Sequence, residues 1–231
     1  MFIKKIFVLS ILWLILASCS LLDSEDAKVN EAYLTGAYDA KLHILDLSNQ
    51  ELTRIPDFEK YLTGSILDDV WDINLMSNNI EKIDSDRLAI FPNLSEVNLS
   101  YNNIKEVNLN NSFISKIQLH KNEIYKADLT WLTNLKEVNL GYNKITTLDN
   151  IKLDSKIESI QLQHNELIDL NNISDYKNLN SLKIEFNMLE DDDLLNLEWL
   201  DQLKFITVKY NQLSKDIEDS FVEFNEKQNN K

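Results

Sequence analysis

From residue 42 onward, apolar positions recur in one template. An apolar residue is followed by two variable ones, then apolar, variable, apolar, two variable, an amide, one variable and a last apolar residue. "LSEVNLSYNNI" from Leu94 and "LKEVNLGYNKI" from Leu135 show it most plainly. It also fits "LHILDLSNQEL" from Leu42, "VWDINLMSNNI" from Val70, "ISKIQLHKNEI" from Ile114, "IESIQLQHNEL" from Ile157, "LNSLKIEFNML" from Leu179 and "LKFITVKYNQL" from Leu203. The strict alternation at the centre of each unit predicts a short strand whose apolar side chains point one way and whose polar neighbours point the other. The amide is Asn78, Asn102, Asn122, Asn143, Asn165, Asn187 and Asn211, with Gln50 in the first unit, so the steps are 28, 24, 20, 21, 22, 22 and 24 residues. An amide carries two donors and an acceptor, which suits it to satisfying backbone groups inside a turn between stacked units. The fixed Asn is therefore expected to be scaffold.

Before each strand the chain must return. "FPNL" (Phe91 to Leu94), "WLTNL" (Trp131 to Leu135), "YKNL" (Tyr176 to Leu179) and "WLDQL" (Trp199 to Leu203) place large apolar residues three or four positions ahead of the first Leu. That spacing predicts a short helix or 3-10 turn with its large residue in the core. The long first step, containing "RIPDFEKYLTGSILDD", leaves room for a larger return segment. At the ends, a capping turn or helix is expected near Ala27 to Tyr38, and Ile217, Phe221 and Phe224 at helical spacing are expected to cover the far end of the core.

The template LxxLxLxxNxL resembles the leucine-rich repeat family over residues 42 to about 217, and repeats of about 22 residues are similar to those of the internalins and related bacterial proteins. The resemblance implies an α/β solenoid with a parallel β-sheet on the concave face and short helices or 3-10 turns on the convex face. It also implies a binding module rather than an enzyme, with attachment to a host among its roles.

The N-terminus adds an address. "MFIKK", the apolar run "IFVLSILWLI" and "LASC" (Leu16 to Cys19) have the order of a bacterial lipoprotein leader, in which Cys19, the chain's one cysteine, is acylated after residues 1–18 are removed. The expected organisation is a leader (1–18), a lipidated Cys with tether and cap (19–41), repeats (42–217), and a C-terminal cap and polar tail (218–231). An exported protein held to a membrane by lipid follows, at the outer membrane or cell surface rather than the inner membrane. The formal charge of −15 repels phosphate backbones, which argues against nucleic acid as a partner and for a protein with a basic face. A monomer is expected.

If the strands stack in register, outward positions form columns. The central column holds Asp46, Asn74, Asn98, Gln118, Asn139, Gln161, Lys183 and Thr207, with five consecutive amides able to bond to one another or to a polar partner. The column just before the fixed amide holds Asn49, Ser77, Tyr101, Lys121, Tyr142, His164, Phe186 and Tyr210. Rings with an apolar body and a polar tip are enriched at protein interfaces, and they also stack on sugars. The candidate partner-binding residues are thus Asn98, Tyr101, Gln118, Asn139, Tyr142, Gln161, His164, Lys183, Phe186 and Tyr210. A glycan-binding envelope module and a structural scaffold are the alternatives. No cofactor, metal or catalytic residue is expected. His43, His120 and His164 fall on different units, "EDDD" (Glu190 to Asp193) suits the start of a helix better than a calcium loop, and no phosphate loop or nucleophile elbow occurs.

Overall fold

A computed structural model describes residues 31–194, 197 and 202–229. Cys19 and the leader, and Trp199 of the last return segment, lie outside them. In chain order the strands are β1 (Tyr38–Asp39), β2 (Ile44–Asp46), β3 (Asp72–Asn74), β4 (Glu96–Asn98), β5 (Glu106–Asn108), β6 (Lys116–Gln118), β7 (Lys126–Asp128), β8 (Glu137–Asn139), β9 (Ile151–Lys152), β10 (Ser159–Gln161), β11 (Ser181–Lys183) and β12 (Phe205–Thr207). The eight units supply β2, β3, β4, β6, β8, β10, β11 and β12, which form one parallel sheet in that order, with β1 added antiparallel at its start. Register is strict: Asp46, Asn74, Asn98, Gln118, Asn139, Gln161, Lys183 and Thr207 are successive partners, as the template requires. Inward residues such as Leu45, Ile73, Ile117, Ile160 and Ile206 are fully buried in one continuous core.

Each fixed Asn ties three points together. Asn102 donates to Leu75 O and Leu99 O, both at 3.0 Å, and accepts from Ile80 N at 2.9 Å. Asn143, Asn165 and Asn187 repeat the arrangement. The amide thus serves carbonyls of its own and the preceding rung and one N–H of the preceding rung. Gln50 has no earlier rung to serve, and its side chain donates locally to Ser48 O at 3.0 Å.

Repeat length selects the return path. The 28-residue step accommodates two helices, Phe58–Tyr61 and Gly64–Asp69, and the first 24-residue step one, Ser85–Ala89. The 22-residue steps carry 3-10 turns, Leu148–Asn150 and Ile173–Asp175, and the last 24-residue step returns to a helix, Asp191–Leu194, whose first turn holds three acids. The 20- and 21-residue steps contain no helix and use β5 and β7, which pair with β9 in a second, three-stranded parallel sheet. This sheet corrects the expectation of helices and turns alone on the return side. A helix rises about 1.5 Å per residue, a 3-10 helix about 2.0 Å and a strand about 3.3 Å, so a shorter unit crosses the same width only in a more extended form.

One return-path expectation is overturned. Phe91 and Tyr176 are buried, but Trp131 is 62% exposed, and Leu132 takes the core position. The inward site lies three residues before the first Leu of the strand, and Trp131 stands at four. In the shortest unit Asn111 fills this site, donating to Leu88 O at 3.0 Å while its Oδ1 accepts from Phe113 N at 2.9 Å.

Both ends are covered. The helix Glu31–Gly36 buries Leu34, β1 pairs with β2, and the Tyr38 hydroxyl donates to Asp69. At the other end the helix Lys215–Asn229 packs Ile217, Phe221 and Phe224 on the core, beginning just inside the segment read as repeats. Its Asn225 acts as a substitute peptide group for the last strand: Oδ1 accepts from Ile206 N at 3.0 Å, and Nδ2 donates to Ile206 O at 2.6 Å.

Candidate binding surface

The outward face of the sheet is set by the turn that leaves each strand. In the central column, Asp46, Asn74, Asn98 and Asn139 each accept, through Oδ1, the backbone N–H two residues on, at 3.0 to 3.1 Å. This side-chain mimic of a turn is a local reason for Asn or Asp at that position. Rung-to-rung bonds link Asn74 to Asp46 and Asn139 to Gln118, each at 3.0 Å. The amide ladder is thus discontinuous, and Asn98 and Asn139 commit their oxygens to the turn. Gln161 and Lys183 sit in the same column, half-buried.

The residue before each fixed amide has left-handed backbone: Asn49, Ser77, Tyr101, Lys121, Tyr142, His164, Phe186 and Tyr210 have φ between 55 and 62°. Backbone bonding imposes this. From Asn49 to Phe186, each of these residues donates its N–H to a carbonyl of the next rung at 2.8 to 3.0 Å, which continues the ladder past the strand while the following Asn turns inward. Left-handed geometry costs a side-chain-bearing residue about 1 kcal/mol or more, and most of these residues are bulky.

Because every rung repeats that geometry, the side chains stack. Tyr142 and His164 have ring centroids 4.0 Å apart at 15°, His164 and Phe186 4.0 Å at 11°, and Phe186 and Tyr210 4.2 Å at 17°. Lys121 continues the row, its Nζ 4.6 Å from the ring centre of Tyr101 and 5.3 Å from that of Tyr142. His120, beside the row, meets Tyr101 edge-on at 5.2 Å and lies 2.8 Å from Ser100 Oγ through Nδ1. Burial, with Lys121 adjacent, holds the His120 pKa below its ordinary value. Tyr101, Tyr142 and Phe186 remain 40 to 43% exposed and Tyr210 65%. Exposure is along ring edges, since the faces of His164 and Phe186 are covered by their neighbours. Within the stacked run from Tyr142 to Tyr210, a sugar therefore finds its open face on the outer side of Tyr210, which counts against the glycan reading for that run.

The acidic half of the sheet lies toward the N-terminal rungs. Burial, reinforced by the Glu96 carboxylate and opposed by Lys116, pushes Asp72 up to about 6. Lys116 Nζ is 3.2 Å from Glu96. Among the described residues, no group of three or more His, Cys, Asp or Glu is placed to hold a metal ion. Lys121, read from sequence as a member of the column, and His120, read there only as a poor metal ligand, are not among the candidate binding residues, yet the structure sets both against the row.

No protein-family model matches the chain, and no curated protein matches it. Solved structures do. An internalin, inlF from Listeria monocytogenes, is 17% identical with a TM-score of 0.50 over 74% of this chain and 56% of its own. The functional domain of InlJ from Listeria monocytogenes is 21% identical, TM-score 0.56, over 75% of this chain and 36% of its own. YopM from Yersinia enterocolitica is 18% identical, TM-score 0.59, over 79% of this chain and 37% of its own. The fold is a leucine-rich repeat solenoid. The chain spans roughly a third to a half of the length of these relatives, and the likeness is one of fold.

Proposed function

We propose that this leucine-rich repeat chain is a non-catalytic protein-binding scaffold that recognises a protein with a basic surface through its concave face, tethered to a bacterial membrane by acylated Cys19. The observation that carries this reading is the continuous row Tyr101, Lys121, Tyr142, His164, Phe186 and Tyr210, ordered by its own stacking at the edge of the sheet. Side chains held in place before association lose little rotamer freedom on binding, so exposed ring edges can act as anchors. The outward residues that open β3, β4 and β8, Asp72, Glu96 and Glu137, support a basic partner, as does the net charge of −15. Host attachment at the cell surface and assembly of an envelope complex differ only in where the partner comes from.

Affinity capture from host-surface and from bacterial-envelope extracts, in parallel with Tyr142→Ala and Phe186→Ala, tests the reading. Loss of a central anchor costs about 2 kcal/mol, roughly a 30-fold weaker Kd. Captured proteins that bind both variants as tightly as the parent would remove the aromatic row from the interface. For the tether, Cys19→Ser in the full chain is expected to abolish labelling by a fatty-acid analogue and shift the protein to the soluble fraction. Unchanged labelling would rule the tether out.

A further inference from the structure

Counting rungs from β2, each has an entry side, the residues just ahead of its strand, and an exit side that carries the aromatic row. Among the described residues, six large apolar or aromatic side chains keep more than half of their surface exposed. Ile168 and Tyr210 are two of them. The other four, Leu42, Trp71, Phe113 and Trp131, all lie on the entry side of the first five rungs. Scaffolding does not account for them. The residue in the place of Phe113 is Asn93 in rung 3, Asn134 in rung 5 and Asn178 in rung 7, and each donates to a carbonyl of the preceding rung. Leu42 holds a template position whose counterparts, from Val70 to Leu203, are buried.

The four follow one edge, starting at the N-terminal end. His43, next to Leu42, stacks on Trp71 with ring centroids 5.1 Å apart. Asn134, three residues after Trp131, donates at 2.8 Å to Ser112 O, next to Phe113. Rung 3 contributes the small Ser95 between the two pairs. In rungs 6 to 8 the same side is polar, with Lys156, Glu158, Asn178, Asn180 and Lys204. Rungs about 4.8 Å apart give the first five a span of about 19 Å. Twelve peptide units join Cys19 to Glu31, where the first helix begins, so a tether there reaches at most about 40 Å. The apolar edge thus occupies the half of the solenoid nearer Cys19, well inside that reach.

We infer that this entry edge rests on the bilayer that holds the chain, its occupant being the headgroup–acyl boundary of a neutral phospholipid surface. The inference rests on the Cys19 tether proposed above. Trp, an apolar body with a polar N–H, concentrates at that boundary, and each apolar side chain buried there adds to binding with its area. Four side chains make a weak site for a free protein, but a tether turns docking into an intramolecular step at high effective concentration. A neutral surface is favoured because the charge of −15, with the exposed Asp39 and Asp68 on the same side, repels anionic lipid. Docked in this way, the exit edge with Tyr142 and Phe186 faces away from the lipid, open to a partner protein.

The full chain is attached to phosphatidylcholine vesicles in two ways: through its own acyl group and, independently of acylation, by coupling Cys19, its one thiol, to a maleimide lipid. Tryptophan fluorescence is read with and without lipids brominated near the headgroup, and the Trp71 and Trp131 contributions are isolated as differences from Trp71→Phe and Trp131→Phe. Bromine is expected to quench both at least two-fold. Leu42→Glu combined with Phe113→Glu, at positions 63% and 54% exposed and so compatible with folding, is expected to abolish that quenching at an unchanged melting temperature. Tyr142→Ala, which weakens capture on the concave face, is expected to leave the quenching as it is. Unquenched Trp71 and Trp131 in the maleimide-coupled chain, or quenching that survives the two Glu substitutions, would overturn the inference. So would shielding of both residues that appears only at high surface density, which would assign the edge to a second copy. Loss of Cys19 labelling in cells strikes the tether alone, because the maleimide-coupled chain still reads the edge.

Discussion

Replacing Asn143 by Ala tests whether the fixed amide is scaffold. Asn143 is 8% exposed, donates to Leu119 O at 3.1 Å and Leu140 O at 2.9 Å, and accepts from Ile124 N at 2.9 Å. The two carbonyls keep a second partner, because Asn122 also donates to Leu119 O and Asn165 to Leu140 O, each within 3.0 Å. Among the described residues, Ile124 N–H has no second acceptor. Leaving a buried donor unmet costs about 1 to 3 kcal/mol, and each of the two lost bonds to the carbonyls about 1 kcal/mol more, so Asn143→Ala is expected to cost about 3 to 5 kcal/mol. With a urea slope of roughly 2 kcal/mol/M, the midpoint falls by about 1.5 to 2.5 M, read by far-ultraviolet circular dichroism. Because repeats contact only their neighbours, a defect at this central rung is also expected to lower the apparent slope as the two halves melt apart. Asn139→Ala, four residues earlier on the half-exposed face, is the control: water replaces its bonds, and the cost is expected to stay below about 1 kcal/mol. Equal, small effects at the two positions would refute the account of the amide.

Further outcomes follow from particular contacts. Asp72 has its pKa raised in the folded state, so the protonated form is favoured there, and stability falls as pH rises from the unfolded value of about 3.9 through about 6. Asp72→Asn should flatten that part of the stability–pH curve and add on the order of 1 kcal/mol at pH 7, the half-exposed position reducing the full effect by screening; an unchanged curve would remove the assignment. Asn225→Ala leaves Ile206 N–H unmet and opens the sheet edge, so a loss of about 1 to 2 kcal/mol and concentration-dependent aggregation on light scattering are expected.

Much of the fold was legible because its constraint is periodic. Ile73, Val97 and Ile117 alternate with polar neighbours, and that alternation alone states which face is buried. Trp131 shows where the legibility stopped: apolarity was visible, but a displacement of one residue decided between core and solvent. The second sheet was written into the 20- and 21-residue steps, since only an extended chain covers the distance in so few residues. It was missed because β5 and β7 are three residues long and their pairing is between units. Of the site, the membership of the aromatic column was readable in Tyr142, Phe186 and Tyr210, while its state was not.

The sequence by itself determined the number of rungs, their inward faces and the columns, because side-chain alternation and a fixed amide repeat are local properties of the chain. Only the tertiary structure decided that the column before the amide is left-handed, that its rings close face to face and hide their faces, and that Asn225 of the C-terminal helix stands where a further rung would meet Ile206. Each of these depends on the distance from one rung to the next, and that distance exists only when the units are stacked.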